Sequence, residues 1–194
     1  MSQTSKFRPR LYLAGPEVFL ADPIEAGRIK CALCSEVGFD GLYPLDNVLD
    51  LAGLSKPEQA ARISAANEAL MRSADAVIAN LTPFRGVSMD AGTAFEVGFM
   101  RALGRPVFGY TNAAETYHAR ALAFRPRGIP PGDYDRPGVE IEDFDLAENL
   151  MIDIAVRAAQ GPVVVPAVSL DRDITNLDGF KRCLAHARRH FFPT

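Results

Sequence analysis

Residues 74–81 read ADAVIANL and residues 91–103 read AGTAFEVGFMRAL, and these two stretches decide the fold. The first is almost entirely apolar, as a strand buried on both faces of a parallel sheet must be. The second carries apolar residues on almost every face of a helix, so we expect a largely buried helix that ends at Gly104. A further apolar run, PVFGYT at 106–111, follows directly. Together they predict two parallel strands joined by a helix.

The same alternation of strand and helix extends to both sides of this unit. Upstream we predict strands over 10–16 and 39–44 and helices over 22–37 and 58–73. Downstream we predict a helix over 145–159, an edge strand between prolines over 162–168 and a helix over 177–190. The sequence therefore predicts an α/β fold: a doubly wound parallel sheet of about five strands with helices on both faces.

Length and composition favour one domain over residues 1–194. The chain has 194 residues, 48% of them apolar, which suffices for one full hydrophobic core. Residues 112–144 interrupt the alternation, because proline, glycine and arginine are frequent there, and we expect an irregular insert without a helix or long strand. We find no internal repeat.

Charge and cysteine content restrict the partners. With 21 basic and 24 acidic residues the net charge is -3, which argues against a general binder of nucleic acid or of anionic membranes. No apolar stretch is long enough to span a bilayer and the N-terminus does not resemble a signal peptide, so we expect a cytoplasmic protein. Cys31, Cys34 and Cys183 are an odd number of cysteines and so do not form a secreted disulfide framework. Cys31 and Cys34 lie within a predicted helix and are expected to be small buried residues that bind no metal.

Ligands of such sheets bind at the carboxyl ends of the strands, where the strand order reverses. With a flavodoxin-like strand order that point lies between the first and third strands, and the turns there are Gly15-Pro16-Glu17 and the loop from Asn80 to Asp90. The first turn lacks the G-x-G-x-x-G pattern, and the chain has no G-x-x-x-x-G-K-[ST] motif. Neither a dinucleotide site nor a phosphate-binding P-loop is therefore indicated.

Three residues near these turns are candidates for chemistry. Glu96 lies among apolar residues, where an ionised carboxylate is costly; it either pairs with Arg101 or serves as a nucleophile or base in a cleft. Asp90 precedes the helix, where it can cap the first amides and still face the same cleft. Tyr12, in the first strand, either fills the core or carries its phenol to the cleft floor.

With these residues in place, the chain resembles the nucleoside 2-deoxyribosyltransferase family. The matching segments are LYLAGP at 11–16, YPLDN at 43–47, ADAVIANLTPFRG at 74–86, MDAGTAFEVGFM at 89–100 and ENLMI at 148–152. They cover most of residues 10–155. The resemblance implies a flavodoxin-like fold and transfer of 2-deoxyribose between nucleobases without a cofactor. Its implied partners are nucleosides and free nucleobases.

The resemblance also assigns roles to residues. It implies that Glu96 is the nucleophile, that Tyr12 donates a hydrogen bond to it, and that Asp90 binds sugar hydroxyls. It places five more residues at the substrate: Gly15, Phe19, Asp46, Asn67 and Phe84. It also implies that Asn149 and Met151 reach into the active site of a neighbouring subunit, so we expect a homo-oligomer.

One departure from the family affects the leaving base. The best-known members carry an aspartate eight residues before the position of Asp75, as the acid that protonates the base, and here Asn67 stands there. An amide can bind a base edge but cannot deliver a proton. Either the base leaves with help from solvent, or another acid such as Asp46 serves, or the activity is slow or changed. Asp75 opens its strand and is therefore expected at the opposite end of the sheet.

Two other functions remain open at this point. The first is an N-glycosidase that hydrolyses nucleosides or nucleoside 5′-monophosphates on the same scaffold, with Arg85-Gly-Val-Ser88 as phosphate donors. Asp90 and Glu17 disfavour a phosphate close by, because they would repel it. The second is a binding module without catalysis, which Asn67 and the insert allow.

Overall fold

The computed structural model describes residues 8–46, 48–124, 140–159, 161–170 and 173–193. Within these residues, five strands form one parallel sheet in the order β2-β1-β3-β4-β5. The strands are β1 (Arg10–Ala14), β2 (Asp40–Leu42), β3 (Ala76–Asn80), β4 (Val107–Tyr110) and β5 (Val163–Val164). This is the flavodoxin-like order, so the predicted fold class is confirmed.

Helices cover both faces of the sheet. They are α1 (Pro23–Glu36), α2 (Lys56–Ser73), α3 (Ala91–Ala102), α4 (Tyr117–Ala123), α5 (Leu150–Ala158) and α6 (Asp178–Phe191). The start of α1 follows from its sequence, because Asp22 accepts a hydrogen bond from the Glu25 amide at 3.0 Å and Pro23 occupies the first turn. In the described part of the chain, no helix is long and apolar enough to cross a membrane.

Alternate residues of each strand contribute to two hydrophobic cores. Leu13 and Ile78 point to the side of α1 and α6, where they pack with Phe180. Tyr12 and Val77 point to the opposite side, where α2, α3 and α5 pack on the sheet. The period-2 alternation thus directs Tyr12 toward the helix that carries the candidate nucleophile.

The described part of the insert differs from the prediction. Residues 117–123 form helix α4, although the region was expected to be irregular. The local signal is Thr116, whose hydroxyl accepts a hydrogen bond from the Ala119 amide at 3.2 Å and so caps the helix. Residues 125–139 of the predicted insert lie outside the described residues.

Helix α3 is less buried than its composition predicted. Thr93, Val97 and Met100 face the core, whereas Phe95 is 57% exposed. An apolar helix therefore presents one face to the sheet and another face outward. Cys34, by contrast, is buried as expected, and burial raises the pKa of its thiol to about 12.

Candidate active site

The candidate site lies at the carboxyl ends of β1 and β3, which are neighbours in the sheet. A 3₁₀ turn, Pro16–Phe19, follows β1, and residues 81–90 connect β3 to α3. The strand order reverses beside β1, since β2 lies on one side of it and β3 on the other. This is the position at which open α/β sheets bind ligands.

Glu96 and Tyr12 are joined by a short hydrogen bond. The Tyr12 hydroxyl donates to Glu96 Oε1 at 2.5 Å. Tyr12 is fully buried within β1, and its ring packs in the core beneath α3. Both interpretations of Tyr12 therefore apply, because its ring fills the core while its phenol orients the carboxylate.

The surroundings of Glu96 favour its neutral form. Burial raises the pKa of the Glu96 carboxyl to about 7, and the negative charges of Asp90 and Glu17 add to this effect. The hydrogen bond from Tyr12 opposes it. The pKa of Tyr12 is also raised, first by burial and then by the Glu96 charge, so the phenol keeps its proton and remains a donor.

Glu96 opens onto a cavity of about 370 Å³ between α2 and α3. Asn67 lines the same cavity from α2, so the structure brings these two predicted residues together. Successive turns of α2 and α3 supply the other residues that line the cavity. These residues are Ala60, Ile63, Ser64, Glu68, Met71, Gly92 and Phe95.

Asp90 is the N-cap of α3. Its Oδ2 accepts hydrogen bonds from the Thr93 amide at 3.0 Å and the Thr93 hydroxyl at 3.3 Å. The carboxylate thereby fixes the first turn of the helix whose second turn carries Glu96. The structural role expected for Asp90 is present, and its charge acts on Glu96.

Two aromatic residues from the two turns stack on each other. The rings of Phe19 and Phe84 lie 5.4 Å apart at an interplanar angle of 12°. The Arg85 guanidinium lies 4.9 Å from the Phe19 ring and 4.7 Å from that of Phe84. Two of the predicted substrate residues are thus brought together, and Arg85 covers them.

Gly15 is required by close packing. A Cβ atom at this position would lie 2.0 Å from Glu17 Oε2. Glu17 is buried, and its Oε1 accepts hydrogen bonds from Lys30 at 2.6 Å and Asn80 at 2.9 Å. Gly15 therefore makes room for a buried ion pair that helps to shape the turn after β1.

Of the predicted site residues, Glu96 and Asn67 line this cavity, whereas Asp46, Asn149 and Met151 lie in other parts of the described structure. Asp46 is exposed, and its Oδ2 accepts a hydrogen bond from the Tyr43 amide at 3.0 Å. Asn149 caps α5 through the Met151 amide at 3.0 Å, and the Met151 side chain is 70% exposed. Asp75 holds the Arg10 amide at 2.8 Å just before β3, at the expected opposite end of the sheet.

Sequence reasoning predicted Asn67 but missed the other residues that α2 contributes to the cavity wall. Ile63, Asn67 and Met71 are spaced by four residues, which places them on one helix face. That spacing was available in the sequence, but α3 had to be placed beside α2 before it indicated a cavity. Among the described residues, no cluster of three or more His, Cys, Asp or Glu side chains is arranged to hold a metal ion.

Comparison with known proteins supports the resemblance. The profile of the nucleoside 2-deoxyribosyltransferase family matches residues 11–151, which include the cavity and both turns. An uncharacterised protein of Schizosaccharomyces pombe is 29% identical over 171 residues, which are 81% of this chain and 81% of the relative.

Solved structures agree with the fold. A 2-deoxyribosyltransferase from Leishmania mexicana superposes with a TM-score of 0.64 at 27% identity, over 94% of this chain and 98% of that one. A conserved protein from Enterococcus faecalis has a TM-score of 0.52 at 17% identity, over 93% and 99% of the two chains, and so shows the fold alone. The chain therefore belongs to the nucleoside 2-deoxyribosyltransferase family.

Proposed function

We propose that this protein transfers 2-deoxyribose between nucleobases by double displacement, with Glu96 as the nucleophile. The observation that carries the proposal is the Glu96 carboxylate, which lies on the wall of a 370 Å³ cavity with the Tyr12 hydroxyl 2.5 Å from its Oε1. A cavity of this size matches a small-molecule site. A carboxylate in apolar surroundings, oriented by a fixed donor, suits covalent catalysis at an anomeric carbon.

In the first step, Glu96 attacks C1′ of the deoxynucleoside on the face opposite the base. Oε1 is held by Tyr12, so Oε2 is the oxygen that forms the new bond. The C1′–N bond breaks, and its electron pair leaves with the base. The carboxylate also stabilises the positive charge that develops at C1′ in the transition state.

In the second step, a nitrogen of the acceptor base attacks C1′, the bond between C1′ and Glu96 Oε2 breaks, and the proton of that nitrogen passes to solvent. Two inversions restore the original anomer, as in retaining glycosyl transfer. The Asp90 carboxylate caps α3 through Oδ2, and in the proposed complex its Oδ1 accepts hydrogen bonds from sugar hydroxyls. The proposed reaction needs no cofactor, since carboxylate and base exchange places at one carbon.

Asn67 is proposed to bind the base rather than to protonate it. Its amide lines the cavity opposite Glu96 and offers both a donor and an acceptor to a base edge. The leaving base then takes its proton from solvent. Asp46 is a weaker choice for the acid than the sequence suggested, because it is exposed and does not line the cavity.

We further propose that the site is completed in a homo-oligomer. Phe95 and Ile63 are 57% and 41% exposed at the cavity, and Met151 is 70% exposed on α5, which packs beside α3. Apolar side chains this open are consistent with a surface that a second copy covers. Asn149 and Met151 would then act in the neighbouring subunit's site, as the family resemblance implies.

The direct test is base exchange followed by chromatography. The protein is incubated with 2′-deoxyinosine, with and without excess adenine, and adenine-dependent formation of 2′-deoxyadenosine is expected. Release of hypoxanthine alone, tested also with nucleoside 5′-monophosphates, would favour the N-glycosidase. No product from any of these donors or from thymidine would favour the binding module.

The Glu96→Gln variant tests the nucleophile. It should abolish exchange while leaving deoxynucleoside binding, measured by calorimetry, nearly intact. Mass spectrometry of the wild-type protein mixed with 2′-deoxyinosine alone should find 2-deoxyribose on the peptide that contains Glu96, and the variant should lack it. Glu25→Gln is the matched control, since Glu25 lies exposed on α1 beside Arg28. Exchange by Glu96→Gln at the wild-type rate would overturn the assignment.

A further inference from the structure

A buried acid–base pair beside the site has no part in the reaction proposed above. Glu148 lies two residues before the first residue of α5 and is 0% exposed, and Arg120 belongs to α4 and is 2% exposed. Their closest side-chain atoms are 3.5 Å apart. Such a pair costs free energy to bury unless hydrogen bonds satisfy both groups, so its remaining contacts indicate its purpose.

The contacts of Glu148 lead to the loop before α3. Its Oε1 accepts hydrogen bonds from the Ser88 hydroxyl at 2.6 Å and from the Asn149 amide at 3.2 Å. Its Oε2 accepts from the Met89 amide at 3.2 Å and from Arg120. One carboxylate therefore joins the two residues that precede Asp90 to the start of α5.

Arg120 holds the same loop from its other side. Its Nε donates to the Val87 carbonyl at 2.8 Å, and a terminal nitrogen donates to the Ala147 carbonyl at 2.8 Å. The other terminal nitrogen donates to the Glu115 carbonyl at 2.6 Å. The guanidinium thus connects α4, the loop and the segment before α5.

We propose that Glu148 is a positioning residue that presents Asp90 and the first turn of α3 to the sugar. Val87, Ser88 and Met89 are each held by Glu148 or Arg120, and the next residue is Asp90. The role of Asp90 toward the sugar rests on the proposed function. The clamp, by which we mean the hydrogen bonds that join Glu148 and Arg120 to residues 87–89, does not.

The physical argument concerns the loop itself. Within residues 81–90, the backbone of Arg85 is in the left-handed region at φ 57°. The Phe84 amide donates a hydrogen bond to the Ser88 carbonyl at 2.9 Å, which closes a tight turn there. That bond fixes the turn internally but does not attach it to the rest of the protein. The start of the loop is attached by the Leu81 amide, which donates to the Tyr110 carbonyl at 2.7 Å, and by the stack of Phe84 on Phe19. Glu148 and Arg120 attach its end at residues 87–89, and a displacement of about 1 Å at a substrate-binding group can cost on the order of 100-fold in rate.

The first test measures amide hydrogen exchange in the full chain. Glu148→Gln replaces one acceptor oxygen by a donor, so it leaves at least one donor of the loop or of α5 unpaired. Exchange over residues 87–90 should become faster, by on the order of tenfold. Ser88→Ala removes a single contact and should show a smaller change in the same direction. Unchanged exchange in both variants would overturn the proposal.

The matched control is Asp153→Asn. Asp153 is also fully buried and lies on α5 itself, but it accepts hydrogen bonds from the Ala147 amide and from Arg157 rather than from the loop. Its variant should be destabilised without faster exchange over residues 87–90. If Glu148→Gln does not fold, Ser88→Ala, which keeps the buried pair, decides the question.

The second test uses sugar selectivity, which a purely structural role would not change. The ratio of kcat/KM for 2′-deoxyinosine to that for 2′,3′-dideoxyinosine reports contact with the 3′-hydroxyl. In Glu148→Gln and Ser88→Ala this ratio should fall toward one, while in Asp153→Asn it should equal the wild-type ratio. A ratio that is unchanged in both loop variants would contradict the proposal. If the wild type shows no turnover at all, the proposed function fails, and hydrogen exchange still tests the clamp.

Discussion

At the scale of single residues, the Glu96 carboxyl is subject to opposing effects. Burial and the charges of Asp90 and Glu17 raise its pKa to about 7, and the hydrogen bond from Tyr12 lowers it. A nucleophile must be ionised, so kcat/KM should fall as the pH decreases through about 7. A pH profile of kcat/KM for base exchange between pH 5 and 9 measures this decrease, which forms the acid limb of the profile.

Tyr12→Phe removes the one contact that stabilises the ionised form. The acid limb should therefore move to higher pH, and kcat/KM at pH 7 should fall by on the order of tenfold. The ring keeps its place in the core, so thermal stability should change little. An acid limb at the wild-type pH would mean that Tyr12 acts only as a core residue.

The same carboxyl makes stability depend on pH. A carboxyl whose pKa is raised in the folded state favours folding while it is protonated, and that contribution is lost as the pH rises from about 4.5 through about 7. At pH 8, Glu96→Gln should therefore stabilise the fold by on the order of 3 kcal/mol, since about 1.4 kcal/mol accompanies each unit by which the pKa is raised. At pH 4 the substitution should be nearly neutral. Urea unfolding at both pH values checks this, and equal effects would contradict it.

At this scale, part of the candidate site could be predicted from the sequence. Glu96 could be identified because an ionised carboxylate within an apolar helix is energetically costly. Asp90 could be identified because an aspartate directly before a helix is a specific N-cap residue. Glu148 was not identified, although it lies within a segment that matched the family. Its significance depends on contacts with Ser88 and Met89, sixty residues away, and no local pattern encodes such contacts.

At the scale of elements, α3 shows how one helix serves both packing and the site. Gly92 and Gly98 both lie on its exposed side. A Cβ at Gly92 would lie 2.9 Å from Asp90 Oδ2, whereas a Cβ at Gly98 would meet nothing within 4 Å. Replacing either glycine by alanine favours the helix by up to about 1 kcal/mol.

The two glycines therefore form a matched pair of variants. Gly98→Ala should raise stability by about 0.5–1 kcal/mol and leave kcat/KM unchanged. Gly92→Ala should displace the Asp90 carboxylate, which the Thr93 amide holds in place, and lower kcat/KM by on the order of tenfold. Thermal unfolding and steady-state kinetics on both variants check this. Full activity in Gly92→Ala would argue against a role for Asp90 at the sugar.

Helices and strands were predicted well where the hydrophobic pattern extends over many residues, and poorly where it extends over only a few. The helix predicted over 91–103 is found at Ala91–Ala102, because its apolar pattern and Gly104 define it. Helix α4 has only seven residues, and proline and glycine dominate the segment that follows it. The strand predicted over 162–168 is reduced to Val163–Val164, because Pro162 and Pro166 have no amide to donate to the sheet.

At the scale of the whole molecule, the alternation of strands and helices predicted the parallel sheet, and the family resemblance implied its flavodoxin-like order. Right-handed crossovers leave few ways to place five parallel strands, and the observed order is one of them. The exposed side of α3 did not follow from the sequence, because composition alone does not show which face of an apolar helix has no partner within its own chain. Phe95, 57% exposed, is the clearest example.

The exposed apolar residues lead to a prediction about assembly. Ile154 is 49% exposed on α5, one turn after Met151, and it does not line the cavity. If a second copy covers this surface, Ile154→Arg places a charge in the interface and should weaken association. Sedimentation velocity should then show a smaller species than the wild type. Base exchange should decrease on dilution and recover at high protein concentration, because the site needs the neighbouring subunit.

Val168→Arg is the control for this prediction. Val168 is 73% exposed but lies after β5, beside a different cavity at the start of α6. Its variant should sediment and react as the wild type does, which separates the effect of a new charge from the effect of its position. A wild-type protein that is monomeric at concentrations where it is fully active would contradict the shared site. Asn149 and Met151 would then act within their own chain, if they act at all, and the exposed side of α3 would need another partner.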